Sequence, residues 1–430
     1  MDINLPGIAP STTSVVQSVV GFTTGVVAGV WRGGVMAGVR RVVVIGGGIG
    51  GLTAAAALHR AGREVTVLER APSLEPVGAA ISLAPNSLRA LDVIGLGDEI
   101  RDLAAWQGDG GLRTPGGRWL SRADATAAAA RFGGPLVLLP RATLVERLAA
   151  QLPPGAIRTA TAATLTDPGD AGRPARVATP DGELEADLVV GADGIRSAVR
   201  GTLFPEHPGT VYSGFTTWRV MIPLPGTEFA SHESWGRGRI WGSHPLKDGR
   251  VYAYGAALAR AGERAPDERA ELLRRFGDWH HPIPAILAAA RPEDVQRHDV
   301  HHIARPLPAY HRGRVALLGD AAHAMPPTLG QGGNQAVEDA VVLAHHCADL
   351  PAYTAARLPR TTAVARQAVR VARLNMTPNR ALMAVRNALM AGLSAVGPAL
   401  FLRSFDGIAD WRPPQAPYAA GQTPAQRRTP

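Results

Sequence analysis

Short segments rich in apolar residues recur along the chain, and each is about as long as a strand of a largely buried sheet. They cover residues 41–45, 64–70, 184–190 and 315–318. A helical pattern at residues 52–60 separates the first two runs. Because strands and helices alternate in this order, the pattern predicts an α/β fold with a parallel sheet.

A different pattern begins at Val211, where apolar and polar residues alternate with the period of two that half-buried strands show. The alternation continues to about Tyr254 and includes Phe215, Trp218, Ile240 and Trp241. It predicts a second, mixed sheet inserted between parts of the first domain. After Leu350 the spacing becomes helical, over residues 361–376 and 381–396, which predicts C-terminal helices.

These patterns divide the chain into consecutive segments. The first domain is predicted to consist of residues 40–115, 116–204 and 313–350, with the sheet domain, residues 205–312, inserted in it. A helical region covers residues 351–412, and residues 413–430 form a disordered tail. Residues 1–39 form an extension, in which the Val-, Gly- and Thr-rich stretch 11–31 is long enough to span a bilayer but poor in Leu and Ile. We expect this extension to be flexible, with weak membrane contact as the alternative.

Composition narrows the class of partner. The formal net charge is +9, but the basic residues are mostly Arg scattered among Ala and Gly, so we do not expect a nucleic-acid partner. Cys347 is the only cysteine, which rules out an intramolecular disulfide and a redox-active cysteine pair and fits a cytoplasmic location. We expect a monomer or a homodimer whose partners are small molecules.

The first strand leads directly into a glycine-rich turn. Gly46, Gly48 and Gly51 form a G-x-G-x-x-G pattern, and the strand after the helix ends in Glu69. Glycines allow a tight turn and the close approach of a pyrophosphate to the helix start, while the carboxylate binds the hydroxyls of an adenosine ribose. A tight turn without a ligand is the alternative. Glu69 would repel a 2′-phosphate, so the motif predicts a Rossmann-like domain holding FAD or NAD rather than NADP.

A second acid and a second glycine-rich helix start follow the apolar run 315–318. Asp320 comes just past the strand end, where open α/β sheets bind ligands, and its carboxylate suits the hydroxyls of a polyol or ribose. Residues 330–334, GQGGN, then open a helix whose free N–H groups favour negative charge by roughly 0.3–1 kcal/mol at exposed sites. A reduced flavin carries such charge at its N1–C2=O edge. An ordinary strand, loop and helix is the alternative; the two motifs in tandem favour a flavin.

Three further positions are candidates for contact with this ligand. Ser82 lies in a segment of small residues that would let the backbone lie flat against a planar ligand, although a sheet strand explains the segment equally well. Arg141 stands at a strand-to-helix junction, where a guanidinium can bind phosphate, and a solvated arginine is the alternative. Asp193 ends another strand and precedes Gly194, which permits a left-handed turn.

The motifs GGGIGG with Glu69, GADGIRS at 191–197 and GDAAHAMPPTLGQGGNQAVEDA at 319–340 together resemble those of the single-component FAD-dependent aromatic monooxygenases, the para-hydroxybenzoate and salicylate hydroxylase group. The resemblance covers about residues 40–414, and VGAAIS at 77–82 is similar to FAD-dependent urate hydroxylases. It implies a Rossmann-like FAD-binding domain with an inserted mixed β-sheet substrate domain and C-terminal helices. It also implies that FAD contacts Gly46, Gly48, Ile49, Gly50, Gly51, Glu69, Arg70, Ser82, Arg141, Asp193, Asp320, Gly332, Gly333 and Asn334.

The resemblance further implies the chemistry. NAD(P)H, which has no domain of its own in this family, reduces FAD as a co-substrate; O2 then adds at C4a of the flavin, and the hydroperoxide delivers oxygen to an electron-rich substrate. We therefore expect an FAD-dependent NAD(P)H monooxygenase that hydroxylates or epoxidises a small, mostly apolar or aromatic molecule. No metal is expected. The alternatives are an oxygen-independent flavin reductase on the same fold and a non-catalytic, membrane-tethered protein.

Two departures from the family bear on the substrate. Phe215 stands where the hydroxybenzoate 6-hydroxylases carry a His that acts as base, and Thr328 stands where the urate enzymes carry an Asp, so neither substrate is expected. The candidates for the substrate pocket are Phe215, Trp218, Arg219 and His244. Arg219 could hold a carboxylate, and His244 or Tyr212 could act as base. The alternative for each is a structural role.

Overall fold

The computed structural model describes residues 39–74, 80–104, 110–123, 125–396 and 405–414. Most of the predicted extension and tail, and residues 75–79 of the small-residue segment, lie outside these residues. The strands in chain order are β1 (Arg41–Ile45), β2 (Glu64–Leu68), β3 (Ala80–Leu83), β4 (Gly110–Arg113), β5 (Trp119–Ala123), β6 (Val137–Pro140), β7 (Ile157–Arg158), β8 (Thr164–Asp167), β9 (Ala175–Thr179), β10 (Gly182–Ala186), β11 (Leu188–Gly191), β12 (Val211–Pro223), β13 (His232–Trp235), β14 (Arg239–Pro245), β15 (Arg250–Leu258), β16 (Gln296–His302), β17 (His311–Arg312) and β18 (Val315–Leu317). The α-helices are α1 (Ile49–Arg60), α2 (Pro85–Val93), α3 (Gly97–Leu103), α4 (Ala125–Phe132), α5 (Arg141–Ala149), α6 (Ala198–Leu203), α7 (Glu268–Phe276), α8 (Ile283–Ala289), α9 (Asp320–His323), α10 (Gly332–His345), α11 (Leu350–Asn375) and α12 (Arg380–Val396).

The first sheet has the strand order β17-β18-β11-β1-β2-β7. All neighbours run parallel except β17, which pairs antiparallel with β18. Its strands are short valine-rich runs such as Val42–Val44, which are buried because helices, including α1 and α10, cover the sheet. The predicted α/β class with a Rossmann-like domain is confirmed. The carboxyl ends of β1, β11 and β18 therefore meet at one edge of the sheet.

The predicted strand 184–190 is divided between two sheets. Its first part belongs to β10, which forms an antiparallel sheet with β9 and β8, and its second part is β11 of the first sheet. Asp187 lies at the division, and its Oδ2 accepts backbone N–H bonds of 2.9 Å from both Arg40 and Arg41. This carboxylate therefore secures β11 beside β1.

The second sheet has the order β16-β12-β15-β14-β13-β4-β5. Helices α7 and α8 cover one face, where Trp218, Trp241 and Phe276 are buried together. The other face packs partly against α11, through Phe215 and Met376. β4 and β5 are strands of this sheet, whereas the sequence pattern predicts residues 110–123 to be part of the FAD-binding domain. They join it because β4 pairs parallel with the distant β13, a contact that the local sequence does not encode.

Helix α11 starts before the predicted residue 361 and continues through Pro359. Its N-terminus is capped by Asp349, whose Oδ1 accepts the Ala352 N–H at 3.0 Å. Tyr353 and Arg357 of the added turns are buried, and this packing outweighs the helix-breaking tendency of proline. None of the helices in the described ranges combines the length and the apolar character needed to cross a membrane.

Candidate active site

The glycine turn after β1 is shaped by close backbone contacts. Gly46 has φ +113°, and a Cβ there would lie 2.4 Å from the Ala192 carbonyl oxygen. A Cβ on Gly51 would lie 2.0 Å from the Gly46 oxygen. Gly48, in contrast, has no atom of the described residues within 4 Å of the position of a Cβ. Two of the motif glycines thus permit close packing, and the third faces open space at the start of α1, where a pyrophosphate can approach.

The acid at the end of β2 is held over this turn. Glu69 Oε2 accepts the Gly47 N–H at 2.7 Å, and Oε1 accepts the Ala71 N–H at 2.8 Å. A carboxylate has about four lone-pair sites, so both oxygens can still accept ribose hydroxyls. Arg70 beside it is exposed, whereas the Ile49 side chain is buried in the core. Gly50 packs against Leu318.

Asp320 is the first residue of α9, just past the carboxyl end of β18. It is exposed, although its neighbours Gly319 and Ala321 are buried. Burial among the surrounding protein atoms raises the pKa of its carboxyl group, against the positive charges of His323, Arg141, Arg219 and Arg200. The exposure of the residue and the many protein atoms around its carboxyl group together indicate a concave space, which we call the cleft. That space suits a polyol chain with hydroxyl groups.

The start of α10 faces the same space. The first intrahelical bond runs from the Gln335 N–H to the Gln331 oxygen at 2.8 Å, so the N–H groups of Gly332, Gly333 and Asn334 have no intrahelical acceptor. No acidic residue lies in this first turn. A Cβ on Gly333 would lie 2.9 Å from Ile81 Cδ1. The free N–H groups form an anion site walled by β3.

The Asn334 side chain fixes this wall. Its Oδ1 accepts the Ala84 N–H at 2.8 Å, and its Nδ2 donates to the Ser82 carbonyl at 3.0 Å and to the Gly330 carbonyl at 2.6 Å. The side chain is therefore occupied within the protein, and Asn334 can meet a ligand only through its backbone. β3 is thus held against the glycine loop.

Arg141 adds an unsatisfied donor. Its Nε is buried without a hydrogen-bond partner among the described residues. Burial lowers the pKa of its guanidinium group, as does the nearby charge of Arg219, while Asp320 opposes the shift. Two arginines and one carboxylate therefore influence one another here and leave an excess positive charge. An unpartnered buried donor beside open space fits an anionic or carbonyl-bearing ligand such as FAD.

Asp193 and Gly194 form the loop between β11 and α6. Asp193 Oδ2 accepts the Val199 N–H at 3.1 Å, while Oδ1 is buried without a partner in the described part of the chain. Gly194 has φ +77° and no atom near its Cβ position. Sequence reasoning missed Arg200, whose side chain donates to the Ala321 oxygen at 2.9 Å and the Ile195 oxygen at 2.8 Å. The signal in the sequence was Arg200 itself, a charged residue among the mostly small and apolar residues that follow the GADGIRS motif.

A buried ionic cluster supports the Asp320 turn and was also missed. Asp339 Oδ2 accepts the Gly319 N–H at 2.9 Å and bonds His323 Nε2 at 2.5 Å. Arg357 donates to Asp339 at 2.6 Å and to Glu338 at 2.7 Å. Burial alone would raise the pKa of Asp339, but the charges of His323 and Arg357 hold it below its usual range. The signal for this cluster in the sequence was a pair of consecutive acids, Glu338 and Asp339, in a helix that is otherwise largely apolar there.

The predicted substrate-pocket residues are divided between the two faces of the second sheet. Trp218 is 2% exposed and lies on the α7 side, where its Nε1 donates to Glu268 at 2.7 Å. Phe215 is buried in a different cluster, with Trp235 and Met376. Neither is brought to Asp320. Arg219 is, because its charge acts on both Asp320 and Arg141.

Two aromatic residues that the sequence patterns did not predict for the site lie beside β3. Tyr252 packs with Leu138 of β6, and Tyr254 and Ala80 join the same cluster. His244 stacks on both tyrosines, at ring-centroid distances of 6.1 and 5.7 Å. The Tyr254 hydroxyl donates to Glu233. The pairing of β13 with β14 and of β14 with β15 brings these residues together, and local sequence patterns do not encode that register.

The titration behaviour of this cluster limits its chemistry. Burial lowers the pKa of His244 to about 4, with a smaller contribution from His232, and its Nδ1 bonds Ser231 Oγ at 2.7 Å. A neutral imidazole with such a pKa accepts hydrogen bonds but is too weak to deprotonate a phenol, whose pKa is about 10. Burial raises the pKa of Glu233 and, most strongly, that of Tyr254. Tyr212, the other candidate base, donates to the Ala259 oxygen at 2.8 Å.

Comparisons with known proteins agree with this geometry. Residues 40–368 match the family model of the FAD binding domain. The aurachin C monooxygenase/isomerase of Stigmatella aurantiaca is 40% identical over 339 residues, 78% of this chain and 86% of that protein. The 3-amino-4-hydroxybenzoate 2-monooxygenase of Streptomyces cremeus is 35% identical over 358 residues, 77% of this chain and 86% of that protein.

A solved structure shares the fold. The Klebsiella pneumoniae HpxO structure, complexed with FAD and uric acid, superposes with a TM-score of 0.78 at 28% identity and covers 86% of this chain and 96% of that one. The family model matches residues 40–368, a range that includes the strands of both sheets and ends within α11. The open glycine turn, the exposed Asp320, the free N–H groups of α10 and the unpartnered Arg141 all fit FAD. This chain belongs to the FAD binding domain family and is related to FAD-dependent aromatic monooxygenases.

Proposed function

We propose that this protein is a monooxygenase that uses FAD, NAD(P)H and O2 to hydroxylate or epoxidise a small aromatic or heteroaromatic molecule. The observation that carries the proposal is the exposed carboxylate of Asp320, in a cleft bounded by the glycine-rich start of α10 and by Arg141. FAD, when bound, supplies the redox chemistry by accepting a hydride and activating O2. The protein supplies position, charge and exclusion of water.

The chain's own residues divide this work. Gly46, Gly48 and Glu69 would hold the ADP half of the cofactor, and Asp320 its ribityl hydroxyls. The N–H groups at the start of α10 would face the flavin ring. Because they are preorganised, they can stabilise negative charge on the reduced cofactor without reorganisation.

The substrate would lie against the face formed by Arg219, His244, Tyr252 and Tyr254. Stacked aromatic rings suit a flat ring, and the Arg219 guanidinium, which forms no ion pair among the described residues, suits a carboxylate or an ionised oxygen. The related 3-amino-4-hydroxybenzoate 2-monooxygenase is named for a substrate with amino and hydroxyl groups on its ring, which supports a similar substrate here. Thr328 donates to the Ala368 oxygen at 2.7 Å and offers no carboxylate, so urate is not the expected substrate.

The decisive experiment is a screen of ring compounds for stimulated NADH or NADPH oxidation by the purified FAD-loaded protein. We expect at least one hydroxylated or aminated aromatic compound to stimulate oxidation, with equimolar O2 uptake and an oxygenated product. Reduction of a compound without O2 uptake would instead identify an oxygen-independent reductase. Protein purified without flavin that also fails to take it up would favour a non-catalytic role.

The cofactor placement is tested separately by Asp320→Ala. This change removes the carboxylate proposed to bind the ribityl chain, so the purified variant should lose most of its flavin absorbance. Asp98→Ala is the matched control, because the Asp98 side chain is 97% exposed on α3. Full flavin content in both variants would refute the placement of the cofactor.

A further inference from the structure

A second cavity, of about 270 Å³, is lined by residues that the proposed flavin and substrate sites do not use. Its walls come from the end of β16 and the following loop, from the end of α9, and from one face of α11. The polar residues among them are His302, His323, Thr362, Arg366, Arg370 and Arg373. No carboxylate of the described residues lines it. The cavity therefore has a positive lining.

The three arginines have no counterion among the residues that the structure describes. Arg366, Arg370 and Arg373 are exposed, and within the described ranges none of them forms an ion pair or a side-chain hydrogen bond. Arg357 and Arg360 of the same helix differ, since buried acids of α10 neutralise both. The spacing of four and three residues puts the cavity arginines on one face of α11, in a row about 10 Å long.

His323 supplies an independent sign of a ligand. It is 4% exposed and lines the cavity, and its Nε2 is bonded to Asp339. Its Nδ1 is buried without a partner in the described part of the protein. Native proteins satisfy nearly all such atoms, with a protein group, water or ligand. His302 feels the same positive field, since burial and then the charge of Arg373 lower its pKa.

We propose that this cavity binds a small phosphate-bearing molecule. A row of guanidinium groups about 10 Å long can contact more than one charged group, and guanidinium forms bidentate bonds with phosphate. A phosphate also has further oxygens that can reach the unpartnered nitrogen of His323. A single carboxylate would leave most of the row without a counterion. The ligand would bind the oxidised holoenzyme whether or not the flavin turns over.

The test is calorimetric titration of inorganic pyrophosphate into the oxidised, FAD-loaded protein in phosphate-free buffer of low ionic strength. Binding should weaken as NaCl is raised, because salt screens exposed charges. The double variant Arg366→Ala/Arg370→Ala should weaken binding about 100-fold, since each lost charge-assisted bond is worth about tenfold. Arg118→Ala, at an exposed arginine of the β4–β5 turn, is the control and should bind as the wild type does.

Flavin absorbance and circular dichroism establish whether the alanine variant is folded. If it is not, Arg366→Lys/Arg370→Lys retains the charge but loses bidentate geometry, and it should weaken binding by a smaller factor, about tenfold. Absence of pyrophosphate binding to the wild type at millimolar concentration would overturn the proposal. Wild-type affinity for pyrophosphate in the folded double variant, whether the alanine or the lysine one, would also overturn it.

The source of the phosphate is distinguished by competition against bound pyrophosphate. Displacement by NADP⁺ but not by NAD⁺ identifies a dinucleotide phosphate monoester, and equal displacement by both identifies a dinucleotide pyrophosphate. Displacement by phosphatidylglycerol vesicles, but not by phosphatidylcholine vesicles, identifies an anionic lipid headgroup. Displacement by inorganic phosphate alone identifies a free anion. Each of these results supports a phosphate site, provided that binding of the displacing compound is lost in the arginine variants.

Discussion

Three charged side chains meet at the centre of the proposed site. Asp320 comes from the end of the first sheet, Arg141 from the start of α5, and Arg219 from the second sheet. Burial disfavours the charged form of both Asp320 and Arg141, and their opposite charges partly offset this cost. One carboxylate cannot neutralise two guanidinium groups. The remaining positive charge favours an anion, such as a reduced flavin or an ionised substrate.

At the same scale, His244 gives stability a defined dependence on pH. Its pKa is about 4 in the folded protein, against 6.5 for the free side chain, so below pH 6.5 the unfolded chain binds a proton that the folded protein does not. The free energy of unfolding should therefore fall as pH decreases from 6.5 to 4. The contribution of His244 is up to about 3 kcal/mol, from about 1.4 kcal/mol per pKa unit.

This prediction is checked by urea unfolding of wild type and His244→Gln at several pH values. The variant should lose less stability than the wild type between pH 6.5 and 4, because it has no imidazole to protonate at this position. His59→Gln, near the end of α1, is the comparison variant, which removes an imidazole outside this cluster. Identical slopes for wild type and His244→Gln would contradict the assignment.

At the scale of elements, α10 has two functions. Its first turn presents free N–H groups to the cleft, and its interior carries the buried acids Glu338 and Asp339. These acids bind Arg357 of α11, and Asp339 also binds the Gly319 N–H before Asp320. The cluster therefore fixes α10, α11 and the end of β18 relative to one another. A change in it should affect stability and the flavin site together.

Arg357→Met tests this coupling. It removes one partner of a fully buried ionic cluster, so the free energy of unfolding should fall by about 3–5 kcal/mol, and flavin affinity should fall with it. Arg274→Met is the matched control, because the Arg274 side chain is 67% exposed in its ion pair with Glu271, where water screens the charges, and it should lower the free energy of unfolding far less than Arg357→Met does. Denaturant unfolding and flavin titration give both quantities. Equal destabilisation by the two changes would argue against the cluster's role.

At the scale of the whole molecule, the proposed cofactor connects segments far apart in the chain. The glycine turn lies near residue 46, Arg141 begins α5, and the second glycine loop lies near residue 332. A ligand that contacts all three binds only the folded protein. It therefore adds its binding free energy to the stability of the fold, about 2.7 kcal/mol when its concentration is 100 times Kd.

Removal of FAD should therefore lower Tm, and added FAD should restore it. FMN, which lacks the AMP half, should raise Tm less at the same concentration, because it has only one of the two phosphates that would approach the Gly46–Gly51 turn and no adenosine ribose for Glu69. Differential scanning fluorimetry of the apoprotein with each compound measures the shifts. Equal shifts for FMN and FAD would show that the AMP half, and with it the proposed contact of Glu69 with the ribose, does not contribute to binding.

Much of the first domain was predictable from the sequence because its signals are local. β1 has the predicted bounds, and β18 and α10 occupy the predicted places, since apolar runs, glycines and an acid each act within a few residues. The extent of α11 was not predictable. Its first turns, which include Pro359, are held by contacts of Tyr353 and Arg357 with distant residues.

The sequence by itself determined the α/β class, the two glycine-rich turns and the acids that follow their strands, because local backbone geometry and strand periodicity depend on neighbouring residues. Only the tertiary structure decided which side chains face the cleft. It placed Trp218 on the α7 face and Arg219 beside Asp320, because successive residues of a strand point to opposite faces and the packing of the sheet decides which face meets the flavin site. It also joined His244, Tyr252 and Tyr254 through strand register, a relation between distant residues that local patterns do not contain.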